Sequence, residues 1–419
     1  MNRRRFMNSV LRTAAMSALS PMLRPLMSYA ADASSAQRFL VMIYIPGGWD
    51  VTLLADPLTH AKFGTTEKDV FIEYDENAII KAARGLQLGP AGLPLKPFLD
   101  DLTVVNGLVM RRDTGHQALR DTMKRGHNGS SGDLLVEFTD ALPASPMGVL
   151  VDGDVSLGVK SVRLVRPQDI LDESTGNYID LIADGLDSPF ELIAPAQAGY
   201  RELMKIRRDA FAARIAEQRK RGGSIDKKTG YSIMAEALAK NLARGAMIDV
   251  SDEGSNSLDT HVQHAGRHLK TLSGKMSVVA DLFKLFKETP MAGSSQKSLF
   301  DQTTFVVFSE FSRTPYRNGS EGKDHNVFTN SVLLAGGGLQ GGRSIGGSRI
   351  LKQGDPGTGR ALHIGQPIDY KSGELVSKSS GTSSLIFPEN IAATTLRLLG
   401  APDSVLKREL EGFSPLPIV

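Results

Sequence analysis

The chain has 419 residues, 41% of them hydrophobic, with 49 Lys and Arg against 46 Asp and Glu and no cysteine. That much apolar material supports a large buried core in one domain or two, and the lack of cysteine excludes disulfides and thiolate metal sites. The net charge of +3 belongs to the first residues: segment 1–33 holds five arginines and one aspartate, and without it 44 basic face 45 acidic residues, leaving no footprint for nucleic acid or another polyanion.

Residues 1–33 are expected to be a removable export signal. Asn2-Arg3-Arg4-Arg5-Phe6-Met7 matches a twin-arginine motif, and small residues at Ala31 and Ala33 offer a signal-peptidase site. The stretch 9–30 is weakly apolar and is broken by Arg12, Pro21, Arg24 and Pro25. It therefore falls short of the roughly 20 apolar residues of a spanning helix. The expectation is a periplasmic or secreted protein with no stable membrane span; a basic tail or an uncleaved anchor is the alternative.

Unbroken apolar runs at 39–45, 102–105, 303–308 and 331–335 suit strands buried on both faces of a parallel sheet. The first run ends in Pro46-Gly47-Gly48-Trp49-Asp50, and such strand ends are where α/β proteins place their chemistry. Asp50 there can ligate a cation or cap the next turn, and Trp49 lines the pocket or covers the core edge. The stretch near 187–250 differs. Its first part is rich in Arg, Lys, Glu and Ala, with Tyr200, Leu203, Met204, Phe211 and Ile215 on a helical stripe that Gly222-Gly223-Ser224 ends. It reads as a helical insertion or cap over the main sheet, or as a solvated surface helix.

Asp259-Thr260-His261 follows. In an extended segment residues two apart share a face, so one ion could see both Asp259 and His261; Asp259 as a helix N-cap is the competing reading. Val262, Ala265, Leu269, Leu272, Met276, Val279, Leu282, Phe283 and Phe286 then mark one face of a crossover helix, on which His264 and His268 are read as surface or supporting residues. Glu310 sits at the tip of the 303–308 strand in Ser309-Glu310-Phe311-Ser312-Arg313-Thr314. A carboxylate there is costly to bury unless it is paired, with Arg313 at hand, or bound to metal. Asp324-His325 adds a ligand candidate in His325. The late glycine clusters have neither P-loop spacing nor a GxGxxG after a strand, so nucleotide binding is not indicated.

In this order the export signal, Gly-Gly-x-Asp, Asp-Thr-His, Ser-Glu-Phe-x-Arg-Thr, Asp-His and Ala393-Thr394-x-Leu396-x-x-Leu399-Gly400 resemble the bacterial domain-of-unknown-function 1501 family, itself similar to the alkaline phosphatase and sulfatase superfamily. The resemblance implies a three-layer α/β/α domain over 34–419 around a mostly parallel sheet, with two metal ions at the strand ends. Carried over by motif, Asp50 and Glu310 would hold one ion and Asp259, His261 and His325 the other, an arrangement that clamps the attacking and leaving oxygens of a displacement. Imidazole ligands favour zinc or manganese over calcium.

The superfamily places its nucleophile at the helix start after the second strand, which here reads Arg112-Asp113-Thr114-Gly115-His116. Thr114 is the expected nucleophile, or simply a helix cap, and His116 the nearest acid or supporting donor. Two departures stand out. Glu310-Phe311 replaces the superfamily's Asp-His, and the absence of Cys-x-Pro-x-Arg excludes a formylglycine sulfatase. Two readings follow: an exported metal-dependent hydrolase of phosphate or sulfate esters, acting on a small-molecule or polymer substrate, and a non-catalytic envelope binding or assembly protein that keeps the fold.

Overall fold

Six consecutive apolar residues have no face to give to water, and the first run accordingly lies mid-sheet. The computed structural model describes residues 38–110, 115–125, 149–152, 164–171, 209–217, 220–221, 225–251, 257–292, 297–355, 357–377 and 383–401, with scattered positions beyond. The expected export signal lies outside them. Among the described residues no helix is long and apolar enough to cross a membrane.

The strands of the main sheet are β1 (Phe39–Tyr44), β2 (Leu102–Asn106), β3 (Val149–Asp152), β4 (Leu164–Val165), β5 (Gly245–Asp249), β6 (Thr303–Phe308), β7 (Ser331–Gly336) and β8 (Arg343–Gly346). Their order is β8-β2-β7-β6-β1-β5-β3-β4. β1 pairs in parallel with both β5 and β6, so Tyr44, Asp249 and Phe308 end side by side at one edge. β7 alone is antiparallel, to β6 and β2. It returns from β6 through a loop that contains the short antiparallel pairing of Ser312–Arg313 with His325–Asn326, and such a return needs no crossover helix.

Alternate side chains of β1 feed two cores. Phe39, Val41 and Ile43 join Leu272, Met276, Val279, Phe283 and Phe286 of the helix α3 (Arg267–Glu288) and Ile233 and Leu238 of α2 (Lys227–Ala239). Leu40, Met42 and Tyr44 join Leu119 and Met123 of α1 (His116–Arg125) and Ile391 and Leu396 of α4 (Pro388–Leu398). Helices thus cover both faces, and the chain is a three-layer α/β/α protein with a mostly parallel sheet.

Two expectations change. Val262 and Ala265 precede α3, which begins after Gly266, and Val262 is exposed. Of the stretch near 187–250 expected as an insertion, 187–208 lies outside the described residues and 209–217 is helical. The remainder is part of the fold itself: α2 is buried along most of its length, and β5 is hydrogen bonded between β1 and β3.

Candidate metal centre

The site begins with a sharp turn at the end of β1. Gly47 and Gly48 have φ of 102° and 70°, which glycine adopts without strain. A Cβ on Gly47 would lie 2.9 Å from the backbone nitrogens of Leu258 and Asp259, and one on Gly48 2.1 Å from the Phe311 ring. The missing side chains therefore let the Asp259 segment and Phe311 close on the turn. Phe311 is fully buried, and its ring lies 4.0 Å from that of His325 and 4.8 Å from that of His116, a floor under both.

Above this floor four side chains converge. Asp259 Oδ1 lies 3.2 Å from His261 Nε2, 3.6 Å from His116 Nε2 and 3.6 Å from His325 Nε2, while the Nε2 atoms of His261 and His325 are 2.9 Å apart. His116, Asp259 and His325 each bring a ligand atom within 4.8 Å of the others. Tetrahedral zinc with bonds of about 2.0–2.1 Å sets its ligands about 3.3–3.4 Å from one another, so these spacings fit a cation of that size. Side-chain exposures of 38% for His116 and Asp259 and 43% for His261 leave the cluster open to a solute.

Each outer imidazole is backed by a carboxylate. His116 Nδ1 meets Glu310 Oε1 at 2.7 Å and His261 Nδ1 meets Asp324 Oδ1 at 2.8 Å. A carboxylate on Nδ1 holds the proton there and turns the Nε2 lone pair toward the cluster, the arrangement that orients histidine ligands of metals. Burial alone would raise Glu310, but the hydrogen bonds from His116, Gly47 and Ser309 outweigh it and hold the carboxyl below its ordinary value. Asp324 behaves likewise, its burial outweighed by His261 and Asn318.

Arg313 ties the three motifs together. Its guanidinium is fully buried and donates to Gly48 O at 3.0 Å, to Lys323 O at 3.1 Å, to Gly47 O and to Asp259 Oδ1 at 2.7 Å. Its carboxylate partner is thus Asp259, not the expected Glu310. Burial acts to raise Asp259, and the Arg313 hydrogen bond and charge outweigh it.

Asp50 stands apart from the cluster. Its Oδ1 accepts from Thr52 N and Oγ1 at 3.0 and 2.7 Å, and its Oδ2 accepts from Lys323 Nζ at 2.6 Å. Burial would raise this carboxyl, but the Lys323 charge outweighs it and holds Asp50 well below the usual carboxylate range. His268 Nε2 accepts from Asp50 N at 2.9 Å, so its proton sits on Nδ1 and donates to Thr260 Oγ1 at 2.9 Å. The Thr260 hydroxyl proton then goes to His264 Nδ1 at 2.8 Å, which puts the His264 proton on Nε2, 3.2 Å from Asp50 Oδ2. Both histidines are fully buried, not surface residues, and burial keeps both neutral.

The expected residues therefore divide. Asp259, His261 and His325 come together, with His116 beside them; Glu310 reaches the cluster through His116; Asp50 faces Lys323; Thr114 lies outside the described residues. Trp49 is buried in the core and donates to Asn330 Oδ1 at 2.7 Å, so it covers the sheet and does not line the opening. Lys323 and Thr260 carried no sequence signal, since a lysine in a polar loop and a threonine between two ligands are ordinarily solvated.

Residues 168–363 match the family described as "Protein of unknown function (DUF1501)". No curated protein matches. Among solved structures, the lipoteichoic acid synthase LtaP from Listeria monocytogenes is 9% identical with a TM-score of 0.40, over 94% of this chain and 79% of that one. A protein in the alkaline phosphatase superfamily from Vibrio parahaemolyticus is 10% identical with a TM-score of 0.38, over 91% and 75%. The C-terminal periplasmic domain of EcEptC from Escherichia coli, in complex with Zn, is 10% identical with a TM-score of 0.33, over 73% and 75%. The matched span contains Asp259, His261, Glu310, Lys323 and His325, and Asp50 and His116 lie before it.

Proposed function

We propose that the chain is an exported, metal-dependent hydrolase of phosphate or sulfate esters, working in the periplasm or outside the cell. The observation that carries this is the convergence of His116, Asp259 and His325, with His261 Nε2 3.2 Å from Asp259 Oδ1 and 2.9 Å from His325 Nε2, and with His116 and His261 backed by Glu310 and Asp324. Zinc or manganese suits this donor set better than calcium, which prefers oxygen alone. A bound ion would supply positive charge to an ester oxygen.

The protein's own groups do the rest. Arg313 fixes the Asp259 carboxylate, and fully buried with four of its five N–H groups engaged it is not free to grip a substrate anion. Glu310 and Asp324 keep the Nε2 lone pairs of His116 and His261 inward. Thr114 precedes in sequence the helix α1, which begins at His116; a helix start favours a developing anion, and Thr114 is the proposed nucleophile there. Purified protein loaded with zinc or manganese, assayed on a panel of aryl phosphates and sulfates, should turn over one class, and His325→Ala should abolish that turnover together with bound metal. A metal-loaded protein inert on every ester would favour the envelope binding or assembly role.

A further inference from the structure

The superfamily resemblance gives the first ion Asp50 and Glu310 as ligands, and every carboxylate oxygen of the two already accepts a hydrogen bond. Glu310 Oε1 is held by Gly47 N at 2.9 Å and His116 Nδ1 at 2.7 Å, and its Oε2 by Ser309 Oγ at 2.8 Å. Asp50 Oδ1 is held twice by Thr52, and against its Oδ2 lies the Lys323 ammonium, 2% exposed and 2.6 Å away. The imidazoles nearest Asp50 offer no lone pair either: His264 Nε2, 3.2 Å from Asp50 Oδ2, makes no hydrogen bond, but the Thr260 hydroxyl on Nδ1 leaves the proton on Nε2. The His268 Nε2 lone pair is taken by Asp50 N–H, and the Thr260 hydroxyl bonds both Nδ1 atoms. Phe311, where the superfamily has a histidine, supplies a ring and no lone pair. A second divalent ion would have to displace a buried ammonium from its carboxylate, bringing three positive charges into contact where one now balances one.

We infer that this centre takes a single divalent ion and that the Lys323 ammonium occupies the place of the second. This rests on the proposed reading of the Asp259, His116, His261 and His325 cluster as the occupied site. The ring from Asp50 through His268, Thr260 and His264 then serves to hold two strand-end motifs in place. Thr260 turns inward between Asp259 and His261, which turn outward, and Lys323 anchors the segment that presents Asp324 and His325.

The test is zinc content of the full chain after dialysis against buffered free zinc, measured by mass spectrometry alongside protein concentration. The wild type should hold one zinc per chain. Asp50→Asn with Lys323→Met, which removes both charges together and leaves no buried ion unpaired, should still hold one, whereas His325→Ala should hold none. Two zinc ions in the wild type, one of them lost from the double variant, would overturn the inference while leaving the proposed cluster intact. No zinc in the wild type, or zinc that survives His325→Ala and is lost from the double variant, would overturn the proposed cluster and the inference with it.

Discussion

Glu310 is fully buried at the end of a strand, and it is ionised because a histidine and a turn of backbone are built around it. Its work is to aim His116, so Glu310→Gln, which keeps shape and loses charge, should weaken zinc binding by about 10–100-fold in a calorimetric titration, with little change in the melting temperature of the metal-free protein. His363 gives a pH dependence of a different origin. It is fully buried beside the Ser348 hydroxyl, which also bonds Asp56, and burial pushes its pKa down to about 4. The unfolded chain takes up this proton near pH 6.5 and the folded one only near 4, so the unfolded state binds more protons in that window and stability falls as pH drops through it. By pH 5 the loss from this group should be about 2 kcal/mol relative to pH 7. Urea unfolding of wild type and His363→Gln at the two pH values isolates it: the wild type should lose more than the variant, and equal losses would remove His363 from the account.

At the scale of elements, α3 and β6 were the most legible, because their periodicities are long and clean. Leu272, Met276, Val279, Phe283 and Phe286 recur at 3 and 4, and all are buried. Phe283 sits at the centre, ring against ring with Phe98, Phe300 and Phe305, so Phe283→Ala should cost about 3–5 kcal/mol in urea unfolding; a loss under 1 kcal/mol would mean that the helix is not pinned to the sheet there. The first turn was less legible. Val262 and Ala265 keep the helical spacing, yet the chain is still in the loop that positions Asp259 and His261. β5 was missed because Gly245–Asp249 is short and follows a long helical composition, and the direction of β7 was missed because a buried apolar run reads the same in parallel and antiparallel sheets.

At the scale of the whole molecule, the candidate site is where β1, β5 and β6 end in register, with α1 and the loop before β7 closing over them. Sequence order showed which motifs lie at strand ends and that Asp259 and His261 share a face. It could not show that Lys323 would reach Asp50 across 273 positions, or that Arg313 would choose Asp259 over the nearer Glu310, because such pairings are set by how loops pack and not by local pattern. Export belongs to this scale too: replacing Arg3 and Arg4 by lysine should leave uncut precursor in the cytoplasm, and mature protein in the periplasm of that variant would remove the twin-arginine reading. The most direct measurement of the central claim is anomalous diffraction from crystals grown with zinc. One strong peak is expected, about 2.0–2.2 Å from Asp259 Oδ1 and from the Nε2 atoms of His116 and His325; a peak against Asp50, or no peak within reach of Asp259, would contradict the single-ion site.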